Sequence, residues 1–137
     1  MASPALRRGV RFVGEIRPER MAAFLSAADV FVLGSHHEGS GYALLEALAC
    51  NAVPVVTDIP SFRTLTADGS IGALWPPGDR DACVRALATV ISRGLDHERQ
   101  RVRAHFTRSL TWDAIGSRAI AVYREVIATR SRARRPL

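Results

Sequence analysis

Two carboxylates, Glu38 and Glu46, bracket a glycine-bearing stretch that reads Ser35-His36-His37-Glu38-Gly39-Ser40-Gly41-Tyr42-Ala43-Leu44-Leu45-Glu46. Gly39 and Gly41 leave room for a ligand to approach the backbone. The first amides of a helix that starts here have no internal acceptor, and together with the helix dipole they suit a diphosphate. A tight strand-to-helix turn would use the same two glycines, so both readings stand. Glu46 interrupts the apolar run from Ala43 to Cys50, and no cation at position 42, 43, 49 or 50 is placed to pair with it. An unpaired carboxylate is costly to desolvate, so it either points to water or receives a hydroxyl-rich ligand. Glu38 reads equally as a loop carboxylate facing solvent. His36 and His37 are adjacent and cannot form a chelating pair at helical spacing; they read as an ordinary polar loop or as neighbours of a bound sugar.

The elements that would hold these residues alternate between strand and helix. Val10 to Gly14 reads as a short strand ended by glycine. Pro18 to Ala28 reads as a helix with Met21, Phe24, Leu25 and Ala28 on one stripe. Val30 to Leu33 is an uninterrupted apolar run, as in a central strand buried on both faces, and Val53 to Thr57 reads as the third strand. Pro54 limits the second to pairing from its first residues or with an unpaired amide. Asn51 suits the left-handed turn just past a helix end. Ser61 to Ala67 reads as a short helix, Gly72 to Trp75 as a fourth strand, and Asp79 as the N-cap of a helix carrying Ala82, Cys83, Ala86, Leu87, Val90 and Ile91. Leu95 to Ser109 is heavily charged and reads as a surface helix. A last helix starts at Thr111, with Trp112, Ile115, Ala119, Val122, Tyr123, Val126 and Ile127 on one face. The expectation is one α/β domain: a Rossmann-like parallel sheet of about four strands, Val32 and Val55 near its centre, helices on both faces. Residues 130–137 are expected to be a frayed basic tail.

With 137 residues, 47% of them apolar, the chain suffices for one packed domain. No apolar stretch reaches the length of a membrane span, and the Arg-bearing start has no apolar core like that of a secretory signal. Cys50 and Cys83 stand in no metal or redox spacing and read as reduced thiols of a cytoplasmic protein. The formal charge is +6, with every cation an arginine. Such a balance permits nucleic acid, an anionic membrane surface or phosphorylated ligands, and also a plain solvated face. Arg99, Arg101, Arg103 and Arg108, and Arg130 to Arg135, have no interleaved aromatics of the kind single-strand binders use. Trp75 and Trp112 read as core or interface aromatics.

The run Glu-Gly-Ser-Gly, followed by Glu-Ala-Leu-Ala-Cys-Asn from Glu46 to Asn51, resembles the signature of glycosyltransferase family 4. Val10 to Gly14, Ala28-Asp29-Val30, Pro54 to Val56, Pro76 to Asp79, Thr111-Trp112 and Tyr123 also resemble members of that family, so the likeness spans about residues 10 to 127. The family comprises retaining enzymes of the GT-B fold, in which two Rossmann-like domains enclose the active site. The resemblance implies that residues 1–129 form a partial nucleotide-sugar-binding domain, the C-terminal half of that fold. It implies that Glu46 accepts hydrogen bonds from the donor ribose, and that Glu38 contacts the transferred sugar and stabilises its developing positive charge. Gly39, Ser40, Gly41, Tyr42 and Ala43 would hold sugar and diphosphate through backbone amides. Gly14, Glu15 and Ile16 would lie beside the base.

No cofactor or catalytic metal is implied. The partners implied are a UDP-, GDP- or ADP-sugar and an acceptor domain or partner chain, with peripheral membrane contact permitted and no nucleic acid expected. Ser40 stands where relatives carry a bulky apolar residue, and Asn51 where they carry glycine. The family's donor domain opens on a strand and loop whose arginine and lysine clamp the diphosphate. This sequence begins after that point, has no lysine and lacks the acceptor domain. Its last helix is therefore expected to leave part of its apolar face uncovered. The leading expectation is the donor-binding part of a retaining glycosyltransferase. A non-catalytic nucleotide-sugar-binding module is the alternative, and a basic nucleic-acid-binding domain a weaker one.

Overall fold

A computed structural model describes residues 9–133, with side chains described to residue 130. Three parallel strands, β1 (Val30–Leu33), β2 (Val53–Thr57) and β3 (Ala73–Trp75), lie in the order β1-β2-β3. Val30 pairs with Val53 and Val55 with Ala73. Each step between strands passes through a helix: α2 (Tyr42–Ala49) joins β1 to β2, and α3 (Pro60–Leu65) joins β2 to β3. Helix α1 (Pro18–Ala27) precedes the sheet; α4 (Arg80–Ser92), α5 (Leu95–Ser109) and α6 (Trp112–Ala133) follow it. Every residue of β2 is buried, although alternate residues of a strand face opposite ways, so helices cover both faces of the central strand. Pro54 is accommodated because pairing with β3 begins only at Val55.

Local signals account for the boundaries. Asp79 caps α4, its carboxylate accepting from the Ala82 amide at 2.8 Å. The Thr111 hydroxyl accepts from the Ala114 amide at 3.2 Å and so starts α6. Asn51 ends α2 with φ of 62°. Gly72 is fixed more tightly: its φ is +71°, and a Cβ there would sit 1.9 Å from the Pro54 carbonyl oxygen. Leu44, Leu48, Val53, Val55, Val56, Phe62, Trp75, Val90 and Val102 make up most of the core.

Three expectations need correction. Val10 to Gly14 is not a strand; residues 10–17 are irregular, and Phe12 is 94% exposed. A β-prone segment becomes a strand only when a neighbour supplies its ladder, and none of the described residues does so here. The sheet consequently has three strands, and Val32, 50% exposed on the edge strand β1, is not central. Val55 is. Finally, α5 is not merely a charged surface helix. Glu98, Val102 and His105 are buried along one of its faces. The Glu98 carboxylate accepts from Arg101 Nη1 at 2.8 Å, and His105 Nε2 lies 2.9 Å from the Leu65 carbonyl. Arg101 also donates to the Ser70 carbonyl, and Arg99 pairs with Asp29 at 2.8 Å. These two arginines bind α5 to neighbouring loops rather than standing free. Helix α6 runs to Ala133, four residues into the segment expected as a tail; residues 134–137 lie outside the described part.

Candidate functional site

Parallel strands bring the loops after β1 and β2 to the same edge of the sheet. Open α/β sheets bind their ligands along this carboxyl edge. The loop after β1 is fixed from its neighbour strand: the buried Thr57 hydroxyl, at the end of β2, donates to the Ser35 carbonyl at 2.5 Å. The Ser35 hydroxyl in turn donates to Glu38 Oε1 at 2.8 Å. One strand end thus orients the carboxylate that projects from the next. Neither Thr57 nor Ser35 was a candidate on sequence grounds. The only signal for Thr57 is a lone hydroxyl closing an apolar strand.

Glu38 is exposed, and it lines a cavity of about 380 Å³ together with His36, His37, Gly39, Ile59, Pro60 and Ser61. The sequence did not single out the last three. His36 leans against the turn of Pro76 to Asp79, since a Cβ on Gly78 would lie 3.8 Å from its ring. Beside the cavity, Asp58 holds Arg63 in a two-point ion pair, with Nη2 to Oδ2 at 2.7 Å. This hydrogen bond, and then the charge of Asp58, raises the Arg63 pKa above its ordinary value.

The two glycines of the loop separate in role. A Cβ on Gly39 would meet nothing within 4 Å, so the space beside its backbone is open. Gly41 is buried with φ of +66°, and a Cβ there would come 2.9 Å from Leu65 and 3.3 Å from Phe62. Gly41 therefore answers to the turn and to its packing on α3, while Gly39 faces open space. The first bond of α2 runs from the Leu45 amide to the Gly41 carbonyl at 3.0 Å, which leaves the amides of Tyr42, Ala43 and Leu44 without a helical acceptor. Ser40, Tyr42 and Ala43 are exposed around this end.

Glu46 lies one turn further along α2, exposed, its carboxylate with no hydrogen bond or ion pair among the described residues. The buried side of α2 is Leu44, Ala47 and Leu48. The opposite side, Tyr42, Leu45, Glu46 and Ala49, borders a groove of about 500 Å³ closed by Phe106, Leu110, Thr111, Trp112 and Ile115. Glu38 and Glu46 therefore open into different depressions, linked by the start of α2. Gly14, Glu15 and Ile16 lie in the irregular segment before α1 and line neither depression. Among the described residues no three His, Cys, Asp or Glu side chains cluster as metal ligands, and no helix is long and apolar enough to cross a membrane.

Comparison with known proteins gives the arrangement a context. The family model "Glycosyl transferases group 1" matches residues 2–106. A phosphatidyl-myo-inositol mannosyltransferase of Mycobacterium leprae is 32% identical over 122 residues, which cover 88% of this chain and 32% of that protein. An alpha-maltose-1-phosphate synthase of Mycolicibacterium smegmatis is 33% identical over 131 residues, 89% of this chain and 34% of the relative. Among solved structures, a sucrose-phosphate synthase from Thermosynechococcus elongatus superposes with a TM-score of 0.65 at 30% identity, covering 91% of this chain and 32% of its own. The chain thus spans about a third of the length of the relatives it matches.

Proposed function

The chain belongs to the group 1 glycosyltransferases, and from that premise we propose that it forms the part of such an enzyme that binds the nucleotide-sugar donor. The observation that carries the reading is the pair Glu38 and Glu46, both exposed and neither paired with a cation, on either side of a helix start with free amides. In this reading the diphosphate lies against the amides of Gly39 to Ala43, whose partial positive charge offsets its own. Glu46 accepts from the ribose hydroxyls. Glu38, oriented by Ser35, accepts from the transferred sugar and stabilises the positive charge that develops as the glycosidic bond to phosphate breaks. The sugar leaves with its anomeric configuration retained, as the family resemblance implies. Gly14, Glu15 and Ile16 would flank the base.

Several relatives carry mannosyltransferase in their names, which puts a mannose donor first in any trial and UDP- and ADP-sugars after it. The acceptor would be held by a further domain or a partner chain. A nucleic-acid-binding role has only the net charge of +6 in its favour. Isothermal titration of the chain against UDP-, GDP- and ADP-sugars tests the proposal: saturable binding of one nucleotide class is expected, and absence of binding to all three would overturn it.

A further inference from the structure

At the end of the sheet opposite the candidate donor site, a cleft of about 340 Å³ opens between the C-terminal ends of α1 and α2 and the side of α5. Ser26, Cys50, Asn51, Arg99, Gln100 and Arg103 line it. Five of these six carry polar or cationic donors, and no carboxylate is among them. Ser26 and Asn51 come just before β1 and β2 respectively, so the cleft lies at the amino edge. Arg99 is anchored by Asp29 and by the Ala28 carbonyl at 3.3 Å, yet its Nε is buried without an acceptor. The side chains of Ser26, Asn51, Gln100 and Arg103 have no hydrogen-bond or ion-pair partner among the described residues. Asp29 offsets the charge of Arg99, and Arg103, one helical turn away, leaves the cleft with a net positive charge.

We propose that this cleft is an anion site for a tetrahedral phosphate group, either free phosphate or the phosphodiester of a lipid headgroup. A guanidinium donates two N–H groups in a plane that matches two phosphate oxygens. In this site Arg103 supplies that fork, Arg99 adds its charge at the cleft wall, and the amides of Asn51 and Gln100 with the Ser26 hydroxyl close around the remaining oxygens. The assignment does not depend on the proposed donor site, which lies at the other edge of the sheet.

Titration of the intact chain with inorganic phosphate, at ionic strength held constant with chloride and followed by amide and guanidinium NMR signals, tests it. Saturable shifts at Asn51, Arg99, Gln100 and Arg103 are expected. Arg103→Gln should weaken them about tenfold, the loss of a charge-assisted hydrogen bond. Arg103 is exposed and unpaired, so the variant should melt with the parent chain, and Arg103→Lys should recover part of the affinity. No saturable shift, or shifts unchanged in Arg103→Gln, would overturn the site. Flotation with phosphatidylcholine vesicles, with and without phosphatidylglycerol, separates the sources. Anionic vesicles that bind the parent chain but not Arg103→Gln identify the headgroup. Vesicle binding that survives the substitution belongs elsewhere and leaves free phosphate as the ligand.

Discussion

At the scale of single residues, the two glutamates are both exposed and differ in what holds them. Glu46 has no partner and sits on the exposed side of α2, so it contributes little to the fold. Glu46→Gln should weaken nucleotide binding by about ten- to a hundredfold, the loss of a hydrogen bond to a charged acceptor, while shifting stability by no more than about 0.5 kcal/mol. Glu38→Gln should weaken binding of the sugar conjugate and leave the bare nucleoside diphosphate nearly unaffected. Titration of both variants with both ligands checks the split, and an unchanged nucleotide affinity in Glu46→Gln would return that residue to a solvated helix position. The glycines make a second contrast. Gly72→Ala must displace the Pro54 carbonyl as well as adopt a left-handed φ, so it should cost more than about 2 kcal/mol in urea melts. Gly39→Ala meets open space and should leave the melt unchanged, but it should hinder the donor if the ligand lies against that backbone. Sequence could not tell these glycines apart, because both a ligand contact and a tight turn call for the same missing side chain. Only the proximity of Phe62 and Leu65 to Gly41, and of Pro54 to Gly72, separates them.

At the scale of elements, the regular pieces were legible where periodicity and end signals agreed. Asp79, Asn51 and Thr111 mark boundaries within a residue or two of those observed, and the helix from Leu95 to Ser109 has the bounds read from its sequence. Its burial was not legible. Leu95, Glu98, Val102, His105 and Phe106 share one stripe, but two of the five are ionisable, so the apolar pattern looks broken although the stripe is packed. Glu98 is the informative position. It is wholly buried, one carboxylate oxygen is bonded to Arg101 and the other has no partner, while Arg101 keeps the Ser70 carbonyl and some solvent. Burying an incompletely satisfied carboxylate is costly, and a well-packed apolar side chain of similar volume often does no worse. Glu98→Met should therefore leave the unfolding free energy unchanged or raise it by up to about 1 kcal/mol. Val102→Ala, on the same stripe, should lower it by about 2 kcal/mol through lost burial and a residual cavity. Denaturant melts of the pair decide whether Glu98 is a structural necessity. The segment from Val10 to Gly14 failed in the opposite sense: its residues suit a strand, but strand formation depends on a neighbour that composition cannot supply.

At the scale of the whole molecule, the α/β class was legible because buried apolar runs alternate with helical spacers, and the direction of the strands sets the edge on which the candidate site lies. The outward face of α6 was legible too: Trp112 is 86% exposed, and Ile115, Val122, Tyr123 and Val126 are exposed or partly so. A group 1 glycosyltransferase of three times this length would use further residues to position the acceptor and to stabilise the leaving diphosphate. These 137 residues, purified alone, are expected to bind a donor without transferring its sugar. Product formation from a nucleotide sugar and an acceptor, above the rate of hydrolysis, would show that the chain suffices. The other edge of the architecture has its own consequence. Along β1, the side away from β2 has no partner strand among the described residues, and its four residues are Val-Phe-Val-Leu with no charge or proline. Such a strip is a template on which another chain can extend the sheet, and Asp29 at its start is the charge that flanks it. The working concentration of the protein thereby becomes a structural variable: light scattering across a concentration series is expected to show association growing with concentration, and a constant mass would show that the edge is otherwise protected.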